Sequence, residues 1–189
     1  MTDGPFLWYL NRSTGVVLLV LLTLSVVLGV LAMGGRPGRG LPRFVTQSLH
    51  RNLALLSVLA LVVHVVSAVA DTYVDIRWWQ AIVPVGATYL PLWLGLGTLA
   101  LDLMAVIVLT SLLRSRLGHR SWRVVHLLSW VAWGLSVAHS IGIGTDLKSA
   151  TGLAVVPVFA CVVAVVAALL LRLTHLGRRV EPVTLRRVS

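Results

Sequence analysis

Four of the six histidines in this 189-residue chain form two pairs inside apolar stretches, each pair spaced about four helical turns apart: His50 with His64, and His126 with His139. An imidazole within a bilayer costs free energy unless a metal coordinates it or a neighbour hydrogen-bonds it. A single buried histidine reads most simply as an interhelical hydrogen bond. Two pairs of similar spacing on separate segments read better as ligands to two shared metal centres. Zinc or copper handling calls for carboxylates or thiolates beside the imidazoles, and only Asp102 is available inside an apolar stretch. Axial bis-histidine ligation of a b-type haem needs only an imidazole pair and an apolar slot. Because the sequence has no C-x-x-C-H, such haems, two by this count, are expected to be non-covalently held.

The elements that must carry these histidines follow from composition. With 58% hydrophobic residues and a mean hydropathy of +0.93, the chain is too apolar for a water-soluble domain. Five stretches are long enough to cross a hydrocarbon core of ~30 Å: Gly15 to Met33, Val45 to Ala70, Ala87 to Leu113, Val124 to Ile143 and Thr151 to Leu171. Lipid cannot satisfy backbone polar groups, and strand-like alternation is absent, so an all-α membrane bundle of five helices is expected. The domain reading is a short extracytoplasmic segment over 1–14, a haem-binding bundle over 15–171 and a basic cytoplasmic tail over 172–189. The lone Cys161 lies in the fifth stretch and is expected to pack without disulfide bonding.

The net charge of +10 is concentrated where orientation needs it. Arg36, Arg39, Arg43 and Arg51 follow the first stretch, Arg114, Arg116, Arg120 and Arg123 follow the third, and Arg172, Arg178, Arg179, Arg186 and Arg187 close the chain. Only Arg12, Arg77 and Lys148 fall elsewhere, alongside Asp3, Asp71, Asp75 and Asp146. The positive-inside rule puts the arginine-rich segments in the cytoplasm, with the N-terminus outside and the C-terminus inside. Without interleaved aromatics, these arginines speak for orientation and anionic lipid contact, not for nucleic acid. A cleaved signal peptide is disfavoured because the arginines follow the first apolar run, where a signal would carry them in front. The expected location is a cell membrane, the bacterial plasma membrane in particular. Trp78 and Trp79, flanked by Ile76 and Ile82, and Trp122 on the opposite side read as headgroup-level anchors.

The second and fourth segments run parallel, so equal depth pairs His50 with His126 near the cytoplasmic side and His64 with His139 near the outer side. The step from His50 to His64 advances ~21 Å and returns to within ~40° of one helix face. The step from His126 to His139 is one residue shorter and leaves an ideal helix about 140° out of phase. A tightened turn or kink is therefore expected between them, placed near Gly134 where irregularity is cheapest. Arg51 and Arg123 adjoin the inner pair and are candidates to hold haem propionates, with snorkelling to the interface as the equal alternative. Trp130 and Trp133 are candidates to line the rings, ordinary packing being favoured. Asp102 is a weaker candidate for tuning the centres or carrying a proton. His119 and His175 fall in basic segments and are expected to be solvated.

These residues resemble the ferric reductase-like transmembrane domain family, which includes the haem-carrying membrane parts of NADPH oxidases and ferric-chelate reductases and the haem subunit of the bacterial methionine sulfoxide repair system. The resemblance spans about Trp8 to Asp146. It rests on LHRNLALLSVLALVVH, on HLLSWVAWGLSVAH, on YLPLWLGLGTLALDLMAVIVLTSLLR and on the GIGTD after His139. It implies that His50, His64, His126 and His139 ligate haem iron and that electrons pass outward from a cytoplasmic donor. Larger members continue into flavin and nicotinamide domains and commonly have six helices, whereas five are counted here and the sequence ends at Ser189. The expected donor is therefore a separate cytoplasmic flavin reductase or a membrane quinone. The expected acceptor is ferric iron, a flavoprotein or oxygen outside, which makes the chain the membrane component of an oxidoreductase. A quinone-linked haem subunit serving an exported partner is the nearest alternative. A metal-ion transporter or non-redox assembly protein is the alternative from another class, disfavoured because the histidine segments are simple continuous runs.

Overall fold

The computed structural model describes residues 6–32, 42–72, 74–144 and 155–177. The loop from Gly34 to Leu41, the acids Asp3 and Asp146, Lys148 and the arginines beyond Gly177 lie outside these residues. Among the described residues the chain is all-helical, and five helical spans are long and apolar enough to cross a membrane. The elements are α1 (Phe6–Ala32), α2 (Arg43–Ala70), a 3-10 turn at Trp78–Ala81, α3 (Pro91–Leu112), α4 (His119–Leu127), α5 (Ser129–Ile143) and α6 (Val155–Gly177).

The spans are built as two antiparallel hairpins plus one helix. α1 packs along α2, α3 packs against α5, and α6 lies on α1, which also touches α5. α2 has no comparable packing against α4 or α5, so the two histidine-bearing spans face each other without touching along their backbones. The small core joins α1, α5 and α6: Leu19, Val158 and Cys161 are buried together, with Val20, Trp133 and Val137 against them. Cys161 packs as expected. Many large apolar side chains are exposed, as suits a surface whose solvent is lipid.

Two features differ from the expected boundaries. The helix expected to begin at Gly15 already begins at Phe6, so most of the 1–14 segment is the first part of α1. Asn11, Arg12 and Ser13 make that stretch look like a terminus, but Asn11 finds its partners on α2, which removes the reason to leave the helix. The break in the fourth span falls at Leu128, between α4 and α5, and not near Gly134. Leu128 N–H bonds to the Val125 carbonyl at 3.0 Å, three residues back, which is the tightened 3-10 geometry. At about 120° per residue across that turn, the phase error of His139 relative to His126 falls from about 140° to about 80°. Gly134 stays within continuous helix.

One polar contact locks α1 to α5. Trp133 Nε1 donates to Thr23 Oγ1 at 2.9 Å, and the Thr23 hydroxyl in turn donates to the Leu19 carbonyl at 2.8 Å. This assigns Trp133 to packing, as favoured from the sequence. Replacing Thr23 with valine leaves the buried indole N–H unpaired and is expected to cost about 0.5–2 kcal/mol, read as a lower unfolding midpoint in detergent.

The loop before α3 folds back over it. Gln80 is buried, its carbonyl accepts the Thr98 hydroxyl at 2.7 Å, and its Oε1 accepts Arg77 N–H at 3.1 Å. The Pro84 carbonyl passes so close to Gly95 that a side chain there would collide with it. Trp78 and Ile82 remain 71% and 62% exposed, suited to a headgroup layer.

Candidate functional site

His64 is held from α1. Its Nδ1 lies 3.0 Å from the Asn11 carbonyl, while the Asn11 amide donates back to the His64 carbonyl at 2.8 Å and to Ser67 Oγ at 3.4 Å. A carbonyl can only accept, so the ring proton sits on Nδ1. The Asn11 amide nitrogen is also 3.3 Å from Nδ1, but two donors cannot bond each other and the carbonyl contact decides the tautomer. Nε2 is left with its lone pair and no hydrogen-bond partner among the described residues. One turn beyond Asn11, Gly15 brings the α1 backbone against the ring: a Cβ there would meet His64 Cε1 at 3.0 Å.

His139 is held from α3 in the same way. Its Nδ1 lies 2.8 Å from the Trp93 carbonyl, which again fixes the proton on Nδ1 and frees Nε2. One turn beyond Trp93, Gly97 lets α3 approach so closely that any Cβ would collide with the ring. The two hairpins thus repeat one device: a helix carbonyl grips the imidazole and a glycine four residues on makes room for it. Hydrogen bonding of the outer ring nitrogen to a backbone carbonyl is how metal-ligating histidines are commonly oriented and made more basic.

The two rings so held face each other across the gap between α2 and α5, with centroids 6.5 Å apart and planes at 89°. Both line a cavity of about 240 Å³, with Leu101 and Met104 from α3 and Arg12 from α1 on its walls. The second pair, His50 and His126, has centroids 6.1 Å apart and planes at 68°. Two imidazoles bound to one metal at about 2.0–2.1 Å, plus about 1.1 Å from nitrogen to ring centre, would stand about 6.3 Å apart. Both pairs match that span. Each offers two donors, and among the described residues no cluster of three histidine, cysteine or acidic side chains is placed to hold a metal ion. Two opposed imidazoles fit a metal whose remaining donors arrive with it, as the four nitrogens of a porphyrin do.

The depth pairing expected from the sequence is therefore the pairing of the rings in space. The His50–His126 site is dressed differently, because Nδ1 of both residues is buried without a hydrogen-bond partner. Trp122 stacks on His126 at 5.0 Å and 22°, and the Arg114 guanidinium lies over the Trp122 ring, 4.4 Å from its centroid. Trp122, expected to be an interfacial anchor, instead backs a ligand candidate, with Arg114 as its cation. Arg51 and Arg123 are both exposed, with no ion pair or hydrogen bond among the described residues. Trp130 is half-buried, and Asp102 is partly exposed and absent from the cavity wall. His119 is exposed, as expected, with its ring 5.9 Å from Trp122.

Asn11, Gly15, Trp93, Gly97 and Arg114 were not singled out as positioning residues by the sequence. A signal existed in the glycines, since a mid-helix glycine costs about 1 kcal/mol relative to alanine and invites a packing explanation. Membrane helices carry glycine freely, however, which blunts that signal.

The profile of a family described as a domain of unknown function, DUF8596, matches residues 6–146. The chain belongs to that family. No curated protein and no solved structure matches it. The DUF8596 match runs from the first residue of α1 past the end of α5 and stops before α6. The matched stretch is the double hairpin that carries all four histidines of this chain.

Proposed function

We propose that this protein is a di-haem b-type membrane cytochrome that carries electrons between a donor and an acceptor on opposite sides of a cell membrane. The observation that carries this reading is the pair of imidazoles 6.5 Å apart, each fixed by a backbone carbonyl at Nδ1 and both lining one cavity. When bound, haem supplies one-electron redox chemistry, and with both axial positions taken by histidine it serves transfer more than substrate binding.

The chain's own residues do the positioning. His64 and His139 would hold one group and His50 and His126 the other. The carbonyls of Asn11 and Trp93 keep two of these rings from rotating. Leu101 and Met104 give the cavity part of its apolar wall. Trp122 and Arg114 keep His126 in place at the other site.

The positive-inside rule favours the N-terminus outside and the C-terminus in the cytoplasm, which puts the His50–His126 pair on the cytoplasmic side. On that reading a cytoplasmic flavin reductase or a membrane quinone reduces the inner site. The outer site then serves ferric iron, a flavoprotein or oxygen, as the resemblance to ferric reductase-like membrane domains implies. A bacterial plasma membrane suits this role.

The purified protein is expected to show b-type absorbance bands on reduction and about two haems per chain by a pyridine haemochrome assay. A colourless protein that retains zinc and takes up no haem would overturn the proposal in favour of metal-ion handling. Reduction by quinol, compared with reduction by an added flavin reductase, identifies the donor.

A further inference from the structure

Asp102 sits halfway along α3. Above it on the same face, Gly95 lies against the Pro84 carbonyl and Thr98 bonds the Gln80 carbonyl, so the loop before α3 covers that part. Below, the face continues at helical spacing through Asp102, Ala105, Val106 and Leu109. Val106 and Leu109 are 44% and 58% exposed. α3 packs against α4, α5 and the Trp78–Ala81 turn, and no other described element packs on it comparably. Asp102 has no hydrogen bond or ion pair among the described residues.

A carboxylate turned to lipid at mid-membrane is unfavourable by several kcal/mol, and such groups are normally paired. Among the described residues no basic side chain lies at that depth. The arginines of the described helices lie towards the ends of the spans: Arg12 near the start of α1, Arg51 beside His50, Arg120 and Arg123 in α4, and Arg172 near the end of α6. Each is about two turns or more from the level of Asp102. A second copy would offer Asp102 only another carboxyl group or aliphatic side chains, and so no counter-charge.

We propose that the Asp102 face of α3 docks a transmembrane helix of a different protein, one carrying an arginine or lysine at mid-membrane depth. Charge complementarity identifies the occupant. The apolar neighbours Ala105, Val106 and Leu109 supply the surface on which that helix packs, and Asp102 fixes its register. Asp102 lies about 140° around α3 from Gly97, the residue that meets the ring of His139, and is not on the cavity wall.

The test uses the full chain in membranes of its own host, with a photo-reactive residue at Val106 or Leu109, and at Leu59 or Val62 of α2 as the control. The α3 positions are expected to crosslink to a membrane protein whose labelled segment, mapped by peptide analysis, contains arginine or lysine; the α2 positions are not. Asp102→Asn and Asp102→Leu are each expected to lower the yield by at least about tenfold, the leucine variant suiting a lipid-facing site and so preserving the fold. Asp102→Lys combined with an aspartate in place of the partner's basic residue is expected to restore it. Adducts with lipid alone, adducts with a second copy of this chain, a partner segment without a basic residue, or an undiminished yield in both variants would each overturn the proposal.

Discussion

Replacing His139 with alanine is expected to halve the haem content, from about two per chain to about one, while the remaining haem keeps its reduced-state bands. The variant removes the imidazole whose Nδ1 is gripped by the Trp93 carbonyl, so the cavity keeps only His64 as a donor. One axial bond in a cavity opened by the loss of a ring holds haem far less tightly than two. The His50–His126 pair lies ~20 Å away along the spans and shares none of the contacts that hold His139. Added imidazole is expected to restore part of the lost absorbance by occupying the space the side chain vacates, a response that a misfolded protein would not give. Loss of both haems, or of neither, would show that the two pairs are not independent ligand sets.

The second large effect removes no donor at all. At Gly97 any Cβ would be driven into the His139 ring, so Gly97→Val is expected to displace that imidazole and abolish the same haem that His139→Ala removes. A graded series makes the steric cause visible. At Gly15 an added Cβ meets His64 Cε1 at 3.0 Å, a contact relieved by a few tenths of an ångström of movement, so Gly15→Ala is expected to weaken haem retention without eliminating it. At Gly134 an added Cβ meets nothing within 4 Å, and Gly134→Ala is expected to leave haem content unchanged and to stabilise the helix by about 0.4–1 kcal/mol. Haem stoichiometry and the unfolding midpoint in detergent, measured on all three, separate loss of the site from loss of the fold. Equal effects at the three positions would mean that these glycines serve the helices generally and not the rings.

Taken together, the two substitutions probe complementary halves of one device. On the proposed reading the histidine supplies the bond, and the glycine facing it sets where the bond can point. The DUF8596 match covers both hairpins.

Much of this protein is legible in the linear chain because lipid makes local rules decisive. A run of about 20 apolar residues must be a helix wherever it is placed, so five spans and their alternating directions follow from hydropathy alone. Depth is equally local at 1.5 Å per residue, and this matches His50 with His126 and His64 with His139 before any contact is known. The sequence also required a phase correction between His126 and His139. It could not say where, because Gly134 was the cheapest position by propensity, whereas the packing of α3 against α5 is compatible with the tighter turn at Leu128.

What tertiary structure alone decided is which neighbours meet the rings. The Asn11 and Trp93 carbonyls are backbone atoms that every residue possesses, and nothing in residue type marks the two that grip an imidazole. Arg51 and Arg123 adjoin histidines in sequence but lie exposed, while Arg114 and Trp122 reach His126 as a stack, because consecutive helical residues point about 100° apart and closeness in sequence is not closeness in space. The open gap between α2 and α5, and the uncovered carboxylate of α3, depend on which helices pack against which. Hydropathy is indifferent to that choice, since in a bilayer helix contacts and lipid contacts are both apolar.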